Sequence, residues 1–269
     1  MKNIILLIVA SSLLFACKEE TKDPQPVIHD TIPISEDTAR MLKYPVSLKE
    51  VFKVHGGLDR WDQMNNLCFE ITSRTGTETH TISLPDRKTK IEAPNWSMGF
   101  NGEDVWFHEN KENAYKGDPV FYYNLMFYFY AMPFVLADPG IEYHEVKSTE
   151  LDGEVYEGIK ISYKEGVGTS PKDEYVLYYH PETYEMAWLG YTVTYHENEK
   201  SDTWKYIKYS EWQDVNGVKL PKTLTWYTIE NGKPVQARNN VKFEKVTLTE
   251  TVLNASVFKV PSEAKVLTN

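Results

Sequence analysis

Residue types that carry out catalysis or hold metals occur in this chain without forming a recognisable set. The seven histidines stand singly, whereas metal ligands usually come grouped at short spacings, so we expect no metal and no cofactor. The adjacent carboxylates Asp173 and Glu174 are expected to solvate a loop rather than act as an acid and base pair. Neither a Gly-x-Ser-x-Gly elbow nor a phosphate-binding loop occurs. We therefore expect a protein that is not an enzyme.

One cysteine carries a different kind of chemistry. An apolar run at 4–15 is shorter than the roughly 20 residues that span a bilayer and has the proportions of a secretory signal peptide. It ends in Leu14-Phe15-Ala16-Cys17, which resembles the bacterial lipobox, where a diacylglycerol is joined to the thiol and the chain is cleaved before it. We expect a signal peptide at 1–16 and a lipid anchor at Cys17. A disulfide is not expected, because acylation of Cys17 would leave Cys68 as the only free thiol.

The residues after this cysteine predict where the protein is placed. Cys17-Lys18-Glu19-Glu20 resembles a signal that sends lipoproteins of some Gram-negative bacteria to the outer face of the outer membrane. We expect an outer-membrane lipoprotein exposed on the cell surface, with a periplasm-facing orientation as the alternative. Residues 17–43 contain three prolines and many charges, which is typical of a flexible tether. Residues 44–269 are expected to form a single domain.

Composition limits the partners of that domain. A hydrophobic share of 41% in 269 residues is enough to build a core. The net charge of −10 argues against nucleic acid and anionic membrane surfaces as partners. The chain has 18 Tyr and 7 Trp against 11 Phe, so aromatic side chains with a polar tip dominate. We take the protein to be a monomer.

Helical patterns are confined to two places. Ser47-Leu48-Lys49-Glu50 has the form of a capping box and predicts a helix that ends at Gly56-Gly57. His55 is expected to interact favourably with the dipole at the end of that helix. Asp118-Pro119 predicts the start of a second helix over 121–132, which is apolar on nearly all sides and should lie in or over a sheet.

Most of the remaining chain shows the two-residue period of strands. Four dipeptides, Asn101-Gly102, Asp152-Gly153, Asn216-Gly217 and Asn231-Gly232, are those that tight hairpin turns require. No helical segment separates the C-terminal strands, the last of which is expected at 235–248, so they should form an antiparallel meander. The predicted fold class is mainly β with minor α. We expect one strongly curved sheet, an unclosed half-barrel with one or two plugging helices.

The C-terminal strands carry large side chains on both faces. This pattern suits a concave face lined with tyrosine and tryptophan, and it equally suits ordinary cross-strand packing. If a cavity exists, its ligand-binding residues are expected to be Trp106, Tyr122, Met126, Phe127, Tyr130, Trp188, Tyr206 and Trp226.

Several stretches resemble a known superfamily. Leu58-Asp59-Arg60-Trp61, the stretch 100–106 and the stretch 215–221 are similar to the lipoprotein carriers and receptors typified by LolA and LolB. The stretches 122–129 and 166–175 resemble a family of uncharacterised lipoproteins within it. The resemblance implies an unclosed antiparallel barrel, plugged by helices, around a hydrophobic cavity for acyl chains. It implies no established function.

Three functions follow as hypotheses. The first is a lipid-anchored, non-catalytic protein that binds a lipid or acyl chain in a half-barrel cavity and is held at the outer membrane by its N-terminal acyl chains, palmitate among them. The second is a surface module that binds glycans or adheres through exposed aromatic rings. The third is a hydrolase of envelope lipid or glycan whose acidic or histidine groups converge from distant strands.

Overall fold

The computed structural model describes residues 40–164, 170, 172–195 and 199–267. The predicted signal peptide at 1–16, the lipid anchor at Cys17 and most of the predicted tether lie outside the described residues. Among the residues that are described, no helix combines the length and apolar character needed to cross a membrane.

Strands make up most of the described chain. They are β1 (Asn66–Ser73), β2 (Gly76–Ser83), β3 (Thr89–Ala93), β4 (Trp96–Phe100), β5 (Val105–Glu109), β6 (Ile141–Leu151), β7 (Glu154–Tyr163), β8 (Tyr175–Tyr179), β9 (Met186–Tyr191), β10 (Lys205–Val215), β11 (Val218–Glu230), β12 (Lys233–Lys242), β13 (Glu244–Thr249) and β14 (Lys265–Leu267). The helices are α1 (Val46–Val54), α2 (Leu58–Asp62), α3 (Pro119–Tyr122) and α4 (Leu125–Tyr130), with short 3-10 helices at Phe134–Ala137 and Ala255–Phe258.

The strands form two antiparallel sheets of seven strands each. One sheet has the order β13-β1-β2-β3-β4-β5-β14 and the other β12-β11-β10-β9-β8-β7-β6. Both remain open at their edges, so the predicted class, mainly β and unclosed, is confirmed. The single curved sheet expected from the sequence is instead divided in two.

The division falls inside the segment predicted as one strand at 235–248, and that prediction is wrong. β12 ends before Phe243, and β13, which begins after it, pairs with β1 in the other sheet. The Phe243 ring is buried and stacks on Tyr130 with centroids 3.9 Å apart. Lys245 has a positive φ of 48°. Burial of this aromatic ring and the turn in the backbone send the chain from one sheet to the other.

Three of the four hairpin predictions are confirmed, whereas Asn101-Gly102 lies in the longer connection 101–104 between β4 and β5, where only the glycine has a positive φ. Both residues of Asp152-Gly153, Asn216-Gly217 and Asn231-Gly232 have positive φ, the conformation in which a two-residue turn matches the twist of its flanking strands. Each pair joins consecutive strands of the second sheet.

Helix α1 begins differently from the prediction. Its N-cap is Pro45, and the Ser47 side chain makes no capping bond, because Ser47 and Glu50 both lie inside the helix. The predicted end is confirmed at Gly56, whose φ is 110°. A Cβ atom at Gly56 would lie 2.3 Å from the carbonyl oxygen of Gly217, so only glycine allows α1 to approach the turn between β10 and β11 this closely.

The apolar segment 119–137, which we call the insert, begins with two short helices rather than the single helix predicted. Asp118 caps α3 as predicted, its Oδ1 accepting a hydrogen bond from the Val120 amide at 2.9 Å. The helical path is interrupted at Tyr123 and Asn124 before α4 begins. Most of α4 and of the following 3-10 helix is buried against the inner faces of the sheets. The insert therefore fills the interior of the fold with side chains.

Candidate functional site

A cleft of about 260 Å³ opens beside the insert, and we call it the aromatic cleft. Its walls come from the insert, from β7 and β8, and from the segments that flank β8 and follow β9. Seven of its lining side chains are aromatic, one is leucine and three are polar without being aromatic. The lining residues are Phe121, Tyr123, Asn124, Leu125, Tyr128, Phe129, Tyr163, Ser170, Asp173, Tyr175 and Tyr195.

Three tyrosines form one wall of the cleft. The ring centroids of Tyr128 and Tyr175 are 5.6 Å apart, and those of Tyr163 and Tyr175 are 6.0 Å apart at 84°. The hydroxyls of Tyr128 and Tyr163 are in hydrogen-bonding contact. Burial raises the pKa of Tyr163 and Tyr175, and the charge of Asp173 raises both further. These hydroxyls stay protonated and are available as donors and acceptors.

Asp173 supplies the carboxylate of the cleft. Its Oδ1 accepts hydrogen bonds from the Thr194 amide at 2.6 Å and the Thr194 hydroxyl at 2.7 Å. Burial raises the pKa of Asp173, while the Thr194 bonds and the charge of Lys205 act in the opposite direction. The two Thr194 bonds hold the carboxyl group at the base of the segment before β8.

Asn124 supplies a second acceptor among the lining residues. Oδ1 of Asn124 is buried and has no hydrogen-bond partner among the described residues. Buried polar atoms usually have partners, because a missing hydrogen bond costs about 1–3 kcal/mol. At the lip of the cleft, Phe121 and Tyr195 pack with ring centroids 4.9 Å apart, and the Tyr195 hydroxyl donates to Asp118 at 3.3 Å. The lining of the cleft thus combines aromatic rings with two hydrogen-bond acceptors, Asp173 and Asn124.

The eight residues predicted to bind a ligand do not line this cleft. Met126, Phe127 and Tyr130 are buried in the main core, where they fill the space that the sequence left open for a cavity. Tyr122 donates to Oε2 of Glu78 at 2.7 Å. Trp226 does not line the cleft, but its ring contacts the lining residue Phe129 with ring centroids 6.0 Å apart.

The other three predicted residues lie further away. Trp106 is fully buried over Gly99 of the first sheet. Trp188 and Tyr206 belong to a separate cluster, the outer aromatic patch, on the face of the second sheet that points away from the main core. The patch residues are Leu151, Tyr156, Val176, Tyr178, Trp188 and Tyr206. Trp188 is covered there by Tyr227 and by the Lys208 ammonium, so the patch offers little open aromatic surface.

The prediction for Asp173 is also corrected. Glu174 is half-buried and forms ion pairs with Lys160 at 2.9 Å and Lys200 at 3.7 Å. Asp173 is 9% exposed and faces inward. The two-residue period offered a signal, because Asp173 precedes the core residue Tyr175 by two positions and so shares its face.

A smaller polar cleft of about 220 Å³ lies at the opposite end of the insert. Arg40 is ion-paired with Asp62 there, and Arg87 with Asp138 at 2.6 Å. Arg40 falls within the segment predicted as a tether, so the last part of that segment is bound to the domain. Among the described residues, no three histidine, cysteine or carboxylate side chains are grouped as a metal site would need.

Comparison with known proteins places the chain in a wider context. The model of a family of unknown function, DUF6503, matches residues 97–242, more than half of the chain, which confirms the family resemblance found in the sequence. No curated protein matches the chain.

Solved structures with related folds share little sequence with this chain. A LolA superfamily protein from Nitrosomonas europaea is 9% identical over 80% of this chain and 99% of its own, with a TM-score of 0.47. A DUF1329 family protein from Desulfovibrio piger is 10% identical over 79% and 97%, with a TM-score of 0.46. An outer membrane lipoprotein-sorting protein domain from Vibrio parahaemolyticus is 7% identical over 78% and 97%, with a TM-score of 0.37. The likeness concerns the fold alone.

Proposed function

This chain belongs to the DUF6503 family of unknown function, and we propose that it is a non-catalytic binding protein whose aromatic cleft takes up a hydrophobic or amphipathic ligand such as an acyl chain. The observation that carries the proposal is the lining of the cleft, which is mainly aromatic with a few inward polar groups. Ligand sites in proteins generally have this composition, with volumes of about 300–1,000 Å³. The cleft is slightly smaller, which suits a single chain or head group.

The arrangement of acids favours binding over hydrolysis. Asp173 is the one carboxylate among the described residues that line the cleft, and its Oδ1 is held by Thr194. Glycoside hydrolysis ordinarily requires two carboxyl groups on either side of the bond. A glycan-binding or adhesive module would instead need open aromatic rings, and those of the outer aromatic patch largely cover one another.

The binding proposal is tested with decyl maltoside below its micelle concentration and calorimetry. We expect one molecule to bind per chain, and Tyr128→Ala to weaken binding about tenfold, because truncating a central aromatic anchor typically costs more than 1 kcal/mol. The matched control is Tyr227→Ala, which removes a half-buried tyrosine from the other face of the second sheet. Maltose, which lacks the chain, should not bind.

Three outcomes would contradict the proposal. Decyl maltoside that fails to bind the wild-type protein would remove the cleft as a site for amphipathic molecules. Equal weakening by Tyr128→Ala and Tyr227→Ala would place binding elsewhere, and weakening by Tyr227→Ala together with binding of maltose would favour the glycan-binding module.

The proposal includes attachment to the outer membrane through acyl chains on Cys17, with the domain exposed on the cell surface. Its support is the lipobox resemblance at 14–17 and the acidic residues after it. We expect mass spectrometry of protein from its own host to give an N-terminus at Cys17 carrying diacylglycerol, and Cys17→Ser to release the protein from the membrane fraction. An unmodified, uncleaved N-terminus would overturn this part, and survival of the protein during protease treatment of intact cells would favour the periplasm-facing orientation.

A further inference from the structure

The polar groups of the aromatic cleft point to one class of head group. We propose that the occupant is an amphipathic molecule with a protonated amine, whose ammonium group lies between Asp173 and Asn124 and whose apolar chain packs on Phe121, Leu125 and Phe129. This inference rests on the proposed binding function and adds the charge and hydrogen-bonding character of the ligand.

Charge is the first argument. The described residues that line the cleft include Asp173 but no lysine or arginine. Two lysines near the rim, Lys160 and Lys200, form ion pairs with Glu174 rather than with Asp173. Lys205 acts on Asp173 only as a more distant charge, and its side chain is exposed. No lysine or arginine among the described lining residues pairs with Asp173, so its carboxylate favours a cation over an anionic head group.

The tyrosine wall is the second argument. Tyr128 and Tyr163 both contact Tyr175, at interplanar angles of 51° and 84°, and all three tyrosines line the cleft. The face of an aromatic ring carries negative charge density and attracts cations within about 6 Å of its centroid. Sets of tyrosines arranged around a cavity bind ammonium groups for this reason.

Unused acceptors are the third argument. Oδ1 of Asn124 is buried without a partner in the described chain. Both hydrogen bonds that Asp173 accepts from described residues go to Oδ1, and Oδ2 accepts none from them. A protonated primary amine brings three N–H donors and no acceptor, so it satisfies both groups at once. A carboxylate head group has no hydrogen to donate to either.

Three probes with the same chain length test the proposal by calorimetry at pH 7: decylammonium, decyl maltoside and decanoate. We expect decylammonium to bind about tenfold more tightly than decyl maltoside, and decanoate to bind most weakly. Asp173→Asn should weaken decylammonium about tenfold more than it weakens decyl maltoside. The asparagine keeps an oxygen that accepts from Thr194, so the local fold is retained. Glu182→Gln, which removes the same charge at an exposed position outside the cleft, should change neither affinity.

The possible outcomes distinguish failure of the amine proposal from failure of the proposed binding function. Equal affinities for the three probes, or equal effects of Asp173→Asn and Glu182→Gln on decylammonium, would overturn the amine proposal while decyl maltoside binding upheld the cleft. Failure of all three probes to bind the wild-type chain would overturn both. If Asp173→Asn unfolds at a much lower temperature than the wild-type protein, Asn124→Leu offers a second variant, because it removes only the Asn124 acceptor.

Discussion

Phe69→Ala is expected to lower the free energy of unfolding by about 3–5 kcal/mol, the usual cost of removing a buried phenylalanine ring. Phe69 is 1% exposed and lies on β1, where its ring meets three others. Its centroid is 4.6 Å from that of His80, 4.9 Å from Tyr130 and 5.2 Å from Phe243. The ring therefore joins the first sheet, the insert and the point where the chain changes sheets. Urea unfolding measures the loss.

Phe107→Ala provides the control for this prediction. Phe107 is half-buried on β5 and contacts Tyr115 with ring centroids 5.7 Å apart, so its removal should cost less than half as much. Similar losses in the two variants would show that Phe69 does not hold the sheets and insert together. If Phe69→Ala proves too unstable to purify, Phe69→Leu is the milder substitution. It should still unfold at a lower urea concentration than the wild-type protein.

Acid is expected to destabilise the protein through His55. This side chain is buried, and its Nδ1 lies 2.7 Å from the Val51 carbonyl oxygen. Its ring contacts Trp212 with ring centroids 4.5 Å apart. Burial is the main cause that lowers the pKa of His55 from 6.5 to about 4; the Val51 bond opposes this change and the charge of Lys219 adds to it. His55 is therefore neutral at pH 7, and its expected favourable interaction with the end of the helix takes the form of the hydrogen bond to Val51.

The pH range follows from these two pKa values. The unfolded chain binds a proton at His55 as the pH falls through 6.5, whereas the folded chain does so only near pH 4. Stability is thus fully present above pH 6.5 and is lost as the pH falls toward 4. Between pH 7 and pH 5 the loss is on the order of 2 kcal/mol.

His55→Asn isolates this contribution, because asparagine retains a donor for the Val51 carbonyl but does not titrate. The variant should lose less stability than the wild type between pH 7 and pH 5 in urea unfolding. Burial also lowers the pKa of His80, against the effect of Glu78, so part of the acid sensitivity should remain. Parallel pH profiles for the two proteins would contradict the role assigned to His55.

Local features of the fold were predictable because they depend on neighbouring residues. The turns at 152–153, 216–217 and 231–232 follow from residues that tolerate positive φ. The N-cap at Asp118 follows from an acid placed before proline. Where a distant contact competed, local reasoning failed, as at Phe243, whose burial against Tyr130 breaks an otherwise regular strand pattern.

The candidate site shows the same limit. Its side chains come from 121–129, from the end of β7, from the start of β8 and from 195, segments far apart in sequence. Both faces of the C-terminal strands carry large aromatic residues, so periodicity separates the two faces without indicating which one points inward. For this reason Trp188 and Tyr206 were assigned to a cavity but lie in the outer aromatic patch.

By itself, the sequence determined the fold class, the positions of most strands and turns, the family and the expected lipid anchor, because these depend on local patterns or on short motifs. Tertiary structure decided the division into two sheets, the filling of the interior by the insert and the location of the aromatic cleft. The physical reason is that burial and ring packing act between residues far apart in the chain. The excess of tyrosine, visible in the composition, acquires a place only when Tyr128, Tyr163 and Tyr175 meet beside Asp173.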